Sequence, residues 1–485
     1  MGKSLDVLDP LCWGLPSTTP RRLSKSLYRL VRRYRHCFET RSGNTYQYAE
    51  VYLKGLLLMS TKRNYANIAR RIVGPEDDGQ NLQQFMSDSP WKEQAVFDQI
   101  QKDISGCPEL DCGSLILDEC GFARDGDKSA GASRQYLGRF GKVDMGQVGV
   151  CLGYYKKGNW VLVDGELYMP EAWFDDAHED LRRRYHVPEE LKFRTKPEIG
   201  LELIRRAKAN RLPFQRVLAD ALYGKKRQFR ADLDAEDMLY IADIVEDMVV
   251  YLEEPTVGVP KAKGPMGRRP TRPKVLSDTV TVRVGSLAKD PKTKFQTVKI
   301  REAERGTLFV EAYARQVWTL TDAMEVRKEW LLISKTQNGD ISYSLSNCPD
   351  ETPLENLVRD RADRYFVERI YEDQKSENGW DEFQALKYRA WQHNTALVAL
   401  ALWFITTNKL EFERDFPRDP RLKKEFELEV LPALSVANVR EMLKAALPLP
   451  QISMDESCDL VAKHLVNRSR SMQSRKKNQT RMRGP

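Results

Sequence analysis

"PEIGLELIRRAKANRLPFQRVLADALYG", residues 197–224, changes its period halfway along. From Pro197 to Arg211 the apolar residues fall at Ile199, Leu203, Ile204 and Ala207, which is the spacing of an amphipathic helix. From Phe214 the chain becomes a short apolar run that ends in Asp-Ala-Leu-Tyr-Gly, a strand entering a turn. A helix handed directly to a strand is half of a crossover unit. Working outward, "SLILDECGF" (114–122) is another apolar run that ends in acids. "QVGVCLGYYKKGNWVLVDGELYMP" (147–170) reads as two strands joined by a turn from Lys156 to Asn159. Downstream, "MLYIADIV" (238–245) is a further strand. Three strands, helix, strand, helix, strand predicts an α/β sheet with a mixed edge.

The flanking regions differ in kind. Residues 1–105 read as helices. "SLYRLVRRYRHCFE" (26–39) sets Leu27, Leu30, Val31 and Tyr34 on one face, with Arg29, Arg32 and Arg33 on the other. In "SDSPW" (87–91), Ser89 ahead of Pro90 predicts a new helix start. The α/β core occupies 106–250 and breaks at 255–274. That loop carries five prolines, six Lys or Arg including Lys261, Arg268 and Arg269, and no acid. Residues 251–350 are otherwise β-like, with a hairpin across "QNGD" (337–340). Helices resume in 351–410 and 411–460. The run "ALVALALWFI" (396–405) is too short to span a bilayer and reads as a buried helix. Residues 461–485 are expected to form a disordered tail, with eight Lys or Arg from Lys463 onward and no acid.

With 485 residues, of which 41% are hydrophobic, the chain can bury a substantial core. The net charge of +8 suits a polyanionic partner, and its placement says more than its size. Residues 21–41 hold eight Arg or Lys against the single acid Glu39. The eight cysteines include no C-x-x-C pair, and no His lies near Cys107, Cys112 and Cys120 to complete a zinc set. They read as reduced thiols of a cytoplasmic protein, without a signal peptide and without a membrane partner.

Asp118 and Asp220 both end strands. Carboxylates at the carboxyl ends of neighbouring strands converge on one crevice. With a third acid from a helix they supply the hard oxygen ligands that Mg²⁺ or Mn²⁺ requires. Strand-terminal Asp is also a common turn or N-cap residue. "RYFVERIYEDQKSENG" (364–379) offers that third acid in Glu368. Arg364, Glu368 and Lys375 return to one helix face, an arrangement that equally describes a solvated face with an ordinary ion pair.

These motifs together resemble bacterial insertion-sequence transposases of the DDE type. Within these the chain is similar to the insertion-sequence family four group, near its seven-oh-one branch. That group carries a Tyr-x2-Arg-x3-Glu-x6-Lys signature. Arg364, Glu368 and Lys375 fall at the Arg, Glu and Lys places, while Arg361 stands where the signature has Tyr. "LILDECGF" matches the first Asp motif, with Cys120 at a place usually held by Thr, and "LADALYG" matches the second. The likeness runs from about residue 45 to 405. It implies an RNase H-like catalytic core with a β-rich insertion, a preceding helical DNA-binding domain and a helical C-terminal region. It implies Asp118, Asp220 and Glu368 as catalytic metal ligands, with Arg361, Arg364 and Lys375 on DNA. The implied activity is Mg²⁺- or Mn²⁺-dependent cleavage at transposon ends and strand transfer into target DNA, for which a hairpin intermediate is known in signature-bearing relatives. The implied partners are double-stranded DNA, namely terminal inverted repeats and target, and a second copy of the chain. The implied location is the bacterial nucleoid. Lys261, Arg268, Arg269, Arg29, Arg32 and Arg33 are the expected phosphate contacts. A catalytically silent DNA-binding relative and an RNase H-fold nuclease are the competing readings. The intact acidic set favours an enzyme over the first, and the basic helices favour transposition over the second.

Overall fold

The computed structural model describes residues 5–450 apart from 42, 139, 140, 262–269, 304, 305 and 384, together with scattered positions between 453 and 473. The chain opens with five helices, α1 (Thr19–Arg33), α2 (Tyr46–Leu58), α3 (Tyr65–Ile72), α4 (Gln80–Ser87) and α5 (Glu93–Ser105). Strands β1 (Gly113–Ala123), β2 (Ser133–Leu137), β3 (Lys142–Lys156) and β4 (Asn159–Leu167) follow. Helix α6 (Lys196–Ala209) leads to β5 (Phe214–Ala219), and α7 (Arg227–Ala235) leads to β6 (Tyr240–Ile244). Helix α6 starts on a capping box: Thr195 and Glu198 satisfy each other's backbone N–H groups, and Pro197 sits in the first turn.

Five of these strands form the centre of the sheet in the order β4-β3-β1-β5-β6. The first three are antiparallel and the last three parallel. Side chains on the parallel strands alternate between two buried faces. Leu115, Leu117, Val217, Ala219, Tyr240 and Ala242 join the large core with α6. Ile116, Leu218 and Ile241 face a second core on the other side. Burial on both faces explains the continuous apolar runs seen in the sequence.

The β-rich segment does not form a separate layer. Strands β7 (Val249–Tyr251), β8 (Thr281–Arg283), β9 (Gln296–Ala303), β10 (Gly306–Leu320), β11 (Val326–Lys335) and β12 (Ile341–Ser346) continue the same sheet. The β11–β12 hairpin turns across 336–340, and β12 pairs antiparallel with β6. The result is one twelve-stranded mixed sheet. Inside it Glu329 of β11 is fully buried and accepts from Arg230 of α7 at 2.9 Å, and from Tyr240 and Thr319.

Helices α8 (Leu354–Ala362) and α9 (Phe366–Glu372) cover the second face. Phe366 stacks on Tyr155 of β3, with ring centroids 3.7 Å apart. A Cβ on Gly153 would lie 2.6 Å from Ile370 Cδ1, so this glycine lets α9 rest directly on β3. Beyond α9 the helix widens into a π-turn, Asp373–Glu377. Long helix α10 (Tyr388–Asp415) is buried nearly all round, as its unbroken apolar run requires. It packs on β4 and on α2, α4 and α5, so the N-terminal helices share one core with it. His393 of α10 lies 2.9 and 3.0 Å from the carbonyl oxygens of Met86 and Trp91 and stacks on the Trp91 ring. That burial of Trp91 corrects the expected helix start. Residues 89–92 lie outside any helix, and α5 begins at Glu93. The last well-packed helix is α11 (Val436–Ala446). The described positions between 455 and 473 are helical and exposed, where the composition predicts a disordered chain; residues 474–485 lie outside the described set. No helix among the described residues is long and apolar enough to cross a membrane, and all eight cysteines are free thiols.

Candidate active site

Strand register assembles the site. Leu117 lies opposite Ala219, and Ala219 lies opposite Ala242. The next residue on each strand is an aspartate: Asp118, Asp220 and Asp243. Three adjacent parallel strands therefore carry acids at one level. Side-chain alternation turns them toward the face that α9 covers. The same alternation sends Glu119 to the opposite face, where it pairs with Lys196 of α6 at 2.8 Å.

Asp118 Oδ1 accepts from the Glu119 N–H at 2.6 Å, and Asp220 Oδ1 accepts from the Leu222 N–H at 2.9 Å. Arg364, in the short turn between α8 and α9, lies among these acids. Its Nη1 is 3.5 Å from Asp118 Oδ2, and its Nε is 3.1 Å from Asp243 Oδ2. Glu368 follows one turn later on α9. It shares a hollow of about 610 Å³ with Asp118, Gly121, Glu372 and Lys375. A neighbouring hollow of about 910 Å³ holds Arg301, Arg361, Arg364, Tyr365, Glu368 and Arg369, and a third holds Asp220, Asp243 and Arg364. Arg364 and Glu368 thus border a cleft with an acidic floor and arginine-rich walls.

The electrostatics follow from that floor. Burial, and then repulsion from Asp220, raise the Asp118 carboxyl to about 7, although Arg364 works the other way. Burial is also the main cause that raises Asp220. Burial opposes the charge on Arg364, but Asp243, Asp118, Asp220 and Glu368 outweigh it and hold the guanidinium above its usual value. Two crowded oxygen donors that repel each other in a partly dry cleft are the chemistry that a hard divalent cation neutralises. Asp118 and Asp220 fit such an ion. Among the described residues no three acidic, histidine or cysteine side chains are close enough together to hold one. Glu368 lines the hollow beside Asp118.

The other expected contacts are placed as follows. Arg361 makes a fork on Asp243, with Nε and Nη2 each at 3.0 Å. Lys375, in the π-turn, donates to the Gly121 carbonyl at 2.9 Å and faces Asp118's hollow. π-Turns recur at functional sites because they re-aim single side chains. This one is held from outside: Arg63 donates to the Glu377 carbonyl at 2.7 Å, and Arg440 pairs with the Glu377 carboxylate at 2.7 Å. Arg29 and Arg32 are exposed on α1, while Arg33 is bound to Asp103, with Nε at 2.9 Å. None of the three lines the cleft hollows just described. Lys261 is exposed, and Arg268 and Arg269 lie outside the described residues.

The residues that sequence reasoning missed are Asp243, Arg63 and Arg440. Asp243 had the same signal as its neighbours, an acid closing an apolar strand. Ile244 and Val245 prolong that run and hide its end.

A profile of DDE superfamily endonucleases matches residues 33–307, more than half of the chain. The chain belongs to this family. The matched span contains Asp118, Asp220 and Asp243, and the cleft is completed by residues beyond it. The chain is also 27% identical over 355 residues to a "probable transposase for insertion sequence element IS701" of Microchaete diplosiphon, an alignment spanning 72% of this chain and 79% of the relative. Among solved structures it is similar to a piggyBac transposase synaptic complex with hairpin DNA, at 11% identity and a TM-score of 0.34, covering 93% of this chain and 85% of that one. At that score the likeness carries no argument.

The raised Asp118 carboxyl makes the fold sensitive to pH. The folded carboxyl titrates above its unfolded value of about 3.9. Its contribution to stability is therefore fully present below that value and is lost as pH rises through about 7. Without divalent ions, Asp118→Asn should stabilise the fold at pH 8 by about 2 kcal/mol. That figure is discounted for residual solvent contact from about 1.4 kcal/mol per tenfold change in protonation. The gain should shrink toward pH 5. Thermal melts of both proteins at the two pH values measure it. An equal gain at both would show that Asp118 is not forced to ionise against its surroundings.

Proposed function

We propose that the chain is a DDE transposase of the insertion-sequence family four type. It would cut DNA at the ends of its element and transfer the freed strands into target DNA. The observation that carries this reading is the acidic floor of Asp118 and Asp220, with Glu368 beside it, inside a cleft walled by arginines. The five central strands, in the order β4-β3-β1-β5-β6, support reading the core as RNase H-like. The named insertion-sequence relative supports transposition over plain hydrolysis.

In this reading Asp118 and Asp220 hold Mg²⁺ or Mn²⁺, and Glu368 completes the set from α9. A divalent ion bound there would polarise the attacking oxygen and stabilise the leaving one. The chain's own residues orient the phosphodiester. Arg364 and Arg361 stand over the acids, and Lys375 flanks Glu368. Arg301 and Arg369 line the adjoining hollow, where phosphates of the departing duplex would run. Arg29 and Arg32 of α1 and the basic loop would add contacts that give affinity without base discrimination. The divalent ion, the hairpin intermediate and a paired dimer that holds two ends all belong to this proposal.

A strand-transfer assay tests it. The full chain, the genomic ends that flank its gene and Mg²⁺ should give a product joined to target DNA. Binding without cleavage would point to a silent DNA-binding relative. Cleavage without joining would point to a nuclease.

A further inference from the structure

Asp243 lies next to Asp220 in the strand register, yet its side chain is employed differently. A carboxylate offers about four acceptor positions; three take hydrogen bonds here, and an ion pair adds to them. Ser344, buried opposite Asp243 in the β6–β12 pair, donates to Oδ1 at 2.6 Å. Arg361 donates through Nε to Oδ1 and through Nη2 to Oδ2, each at 3.0 Å. Arg364 Nε reaches Oδ2 at 3.1 Å. A carboxylate so engaged has little capacity left for a cation. Arg364 also divides its guanidinium unequally. Its ion pair with Asp243 is the closer, at 3.1 Å, while its hydrogen bond to Asp118 is long, at 3.5 Å, beyond the 2.7–2.9 Å or so of a full charge-assisted bond.

We infer that Asp243 is a positioning residue that draws Arg364 aside from Asp118 and Asp220, and so keeps those two carboxylates open to a divalent cation. The inference rests on the proposed reading of that pair as the cation site. Without Asp243's charge, the nearest anchor for Arg364 is Asp118. The guanidinium then closes on that carboxylate and competes with the ion for it. Arg361 takes two of Asp243's acceptor positions and so limits its hold on Arg364.

The test is Mn²⁺ binding to the full-length protein without DNA, read from the paramagnetic resonance signal of free Mn²⁺. Asp243→Asn should lower Mn²⁺ affinity about tenfold, the lower end of the usual cost of losing a group that orients metal ligands. Arg364→Gln should raise affinity, and the double variant should bind like Arg364→Gln alone. Arg361→Gln, which leaves the acids intact, should keep or raise affinity, so the inference stays testable if Asp243→Asn does not fold. Unchanged affinity in Asp243→Asn overturns it. So does a tenfold loss that persists in the Arg364→Gln background, which would make Asp243 itself a ligand. A loss of affinity in Arg361→Gln also overturns it. Wild-type protein that binds no Mn²⁺ overturns the cation site and this inference together, whereas normal binding with a neutral Asp243→Asn removes only the role of Asp243.

Discussion

Asp118→Ala, Asp220→Ala and Glu368→Ala should each abolish cleavage of element ends, by about a thousandfold or more, while leaving end binding largely intact. Acids that act as one set do not share the loss between them, so each single change should cost nearly as much as all three. The two aspartates project from adjacent strands whose pairing fixes their separation. Glu368 depends on how α9 is seated, which Gly153 and the Phe366–Tyr155 stack determine. Glu372, one turn on, borders the same hollow. It is the competitor for the third place, but it is paired with Arg369 at 2.5 Å and its side chain is 61% exposed. Cleavage and filter-binding assays on the four alanine variants decide the register. Near-normal cutting by Glu368→Ala, with loss in Glu372→Ala, would move the third acid by one turn.

Arg230→Ala should destabilise the fold by about 3–5 kcal/mol, because it strands Glu329 as a buried charge without its cation. Burial alone would raise the Glu329 carboxyl, but Arg230, with hydrogen bonds from Thr319 and Tyr240, holds it below the usual range. The four groups come from α7, β6, β10 and β11, so the network bolts the extra strands to the centre of the sheet. Urea unfolding measures the cost. Replacing Arg230 and Glu329 together by Met and Leu should cost much less, since both desolvation penalties then vanish. Equal losses in the single and double variants would show that packing, rather than the orphaned charge, sets the cost.

How far the sequence revealed these features depends on how local their causes are. The helix and strand around Asp220 were legible because the period changes within one stretch. The β11–β12 hairpin was legible from its turn residues. The joining of β12 to β6 was not, because any apolar strand could take that edge. The apolar run 396–405 inside α10 announced burial but not its partners, since a stretch without a polar face gives no direction. The DNA contacts expected of Arg361 and Arg364 come from the signature they resemble, which carries no information on their protein partners. Their hold on Asp243 is a tertiary fact, because Arg361 and Asp243 are 118 residues apart. Arg63 and Arg440 were hidden for the same reason. Each meets Glu377 from a remote part of the chain, and neither lies in a motif.

The core shared by the N-terminal helices and α10 also sets an order of events during synthesis. Leu27, Tyr52, Phe85 and Phe97 leave the ribosome nearly three hundred residues or more before α10, the helix that covers them. At about 5–20 residues per second, that interval is on the order of 15–60 s. Throughout it the first helices present uncovered apolar faces, which invites holding chaperones or premature association. A message cut short before residue 388 yields helices with no lid. The first hundred residues thus complete their core only once α10 has been made.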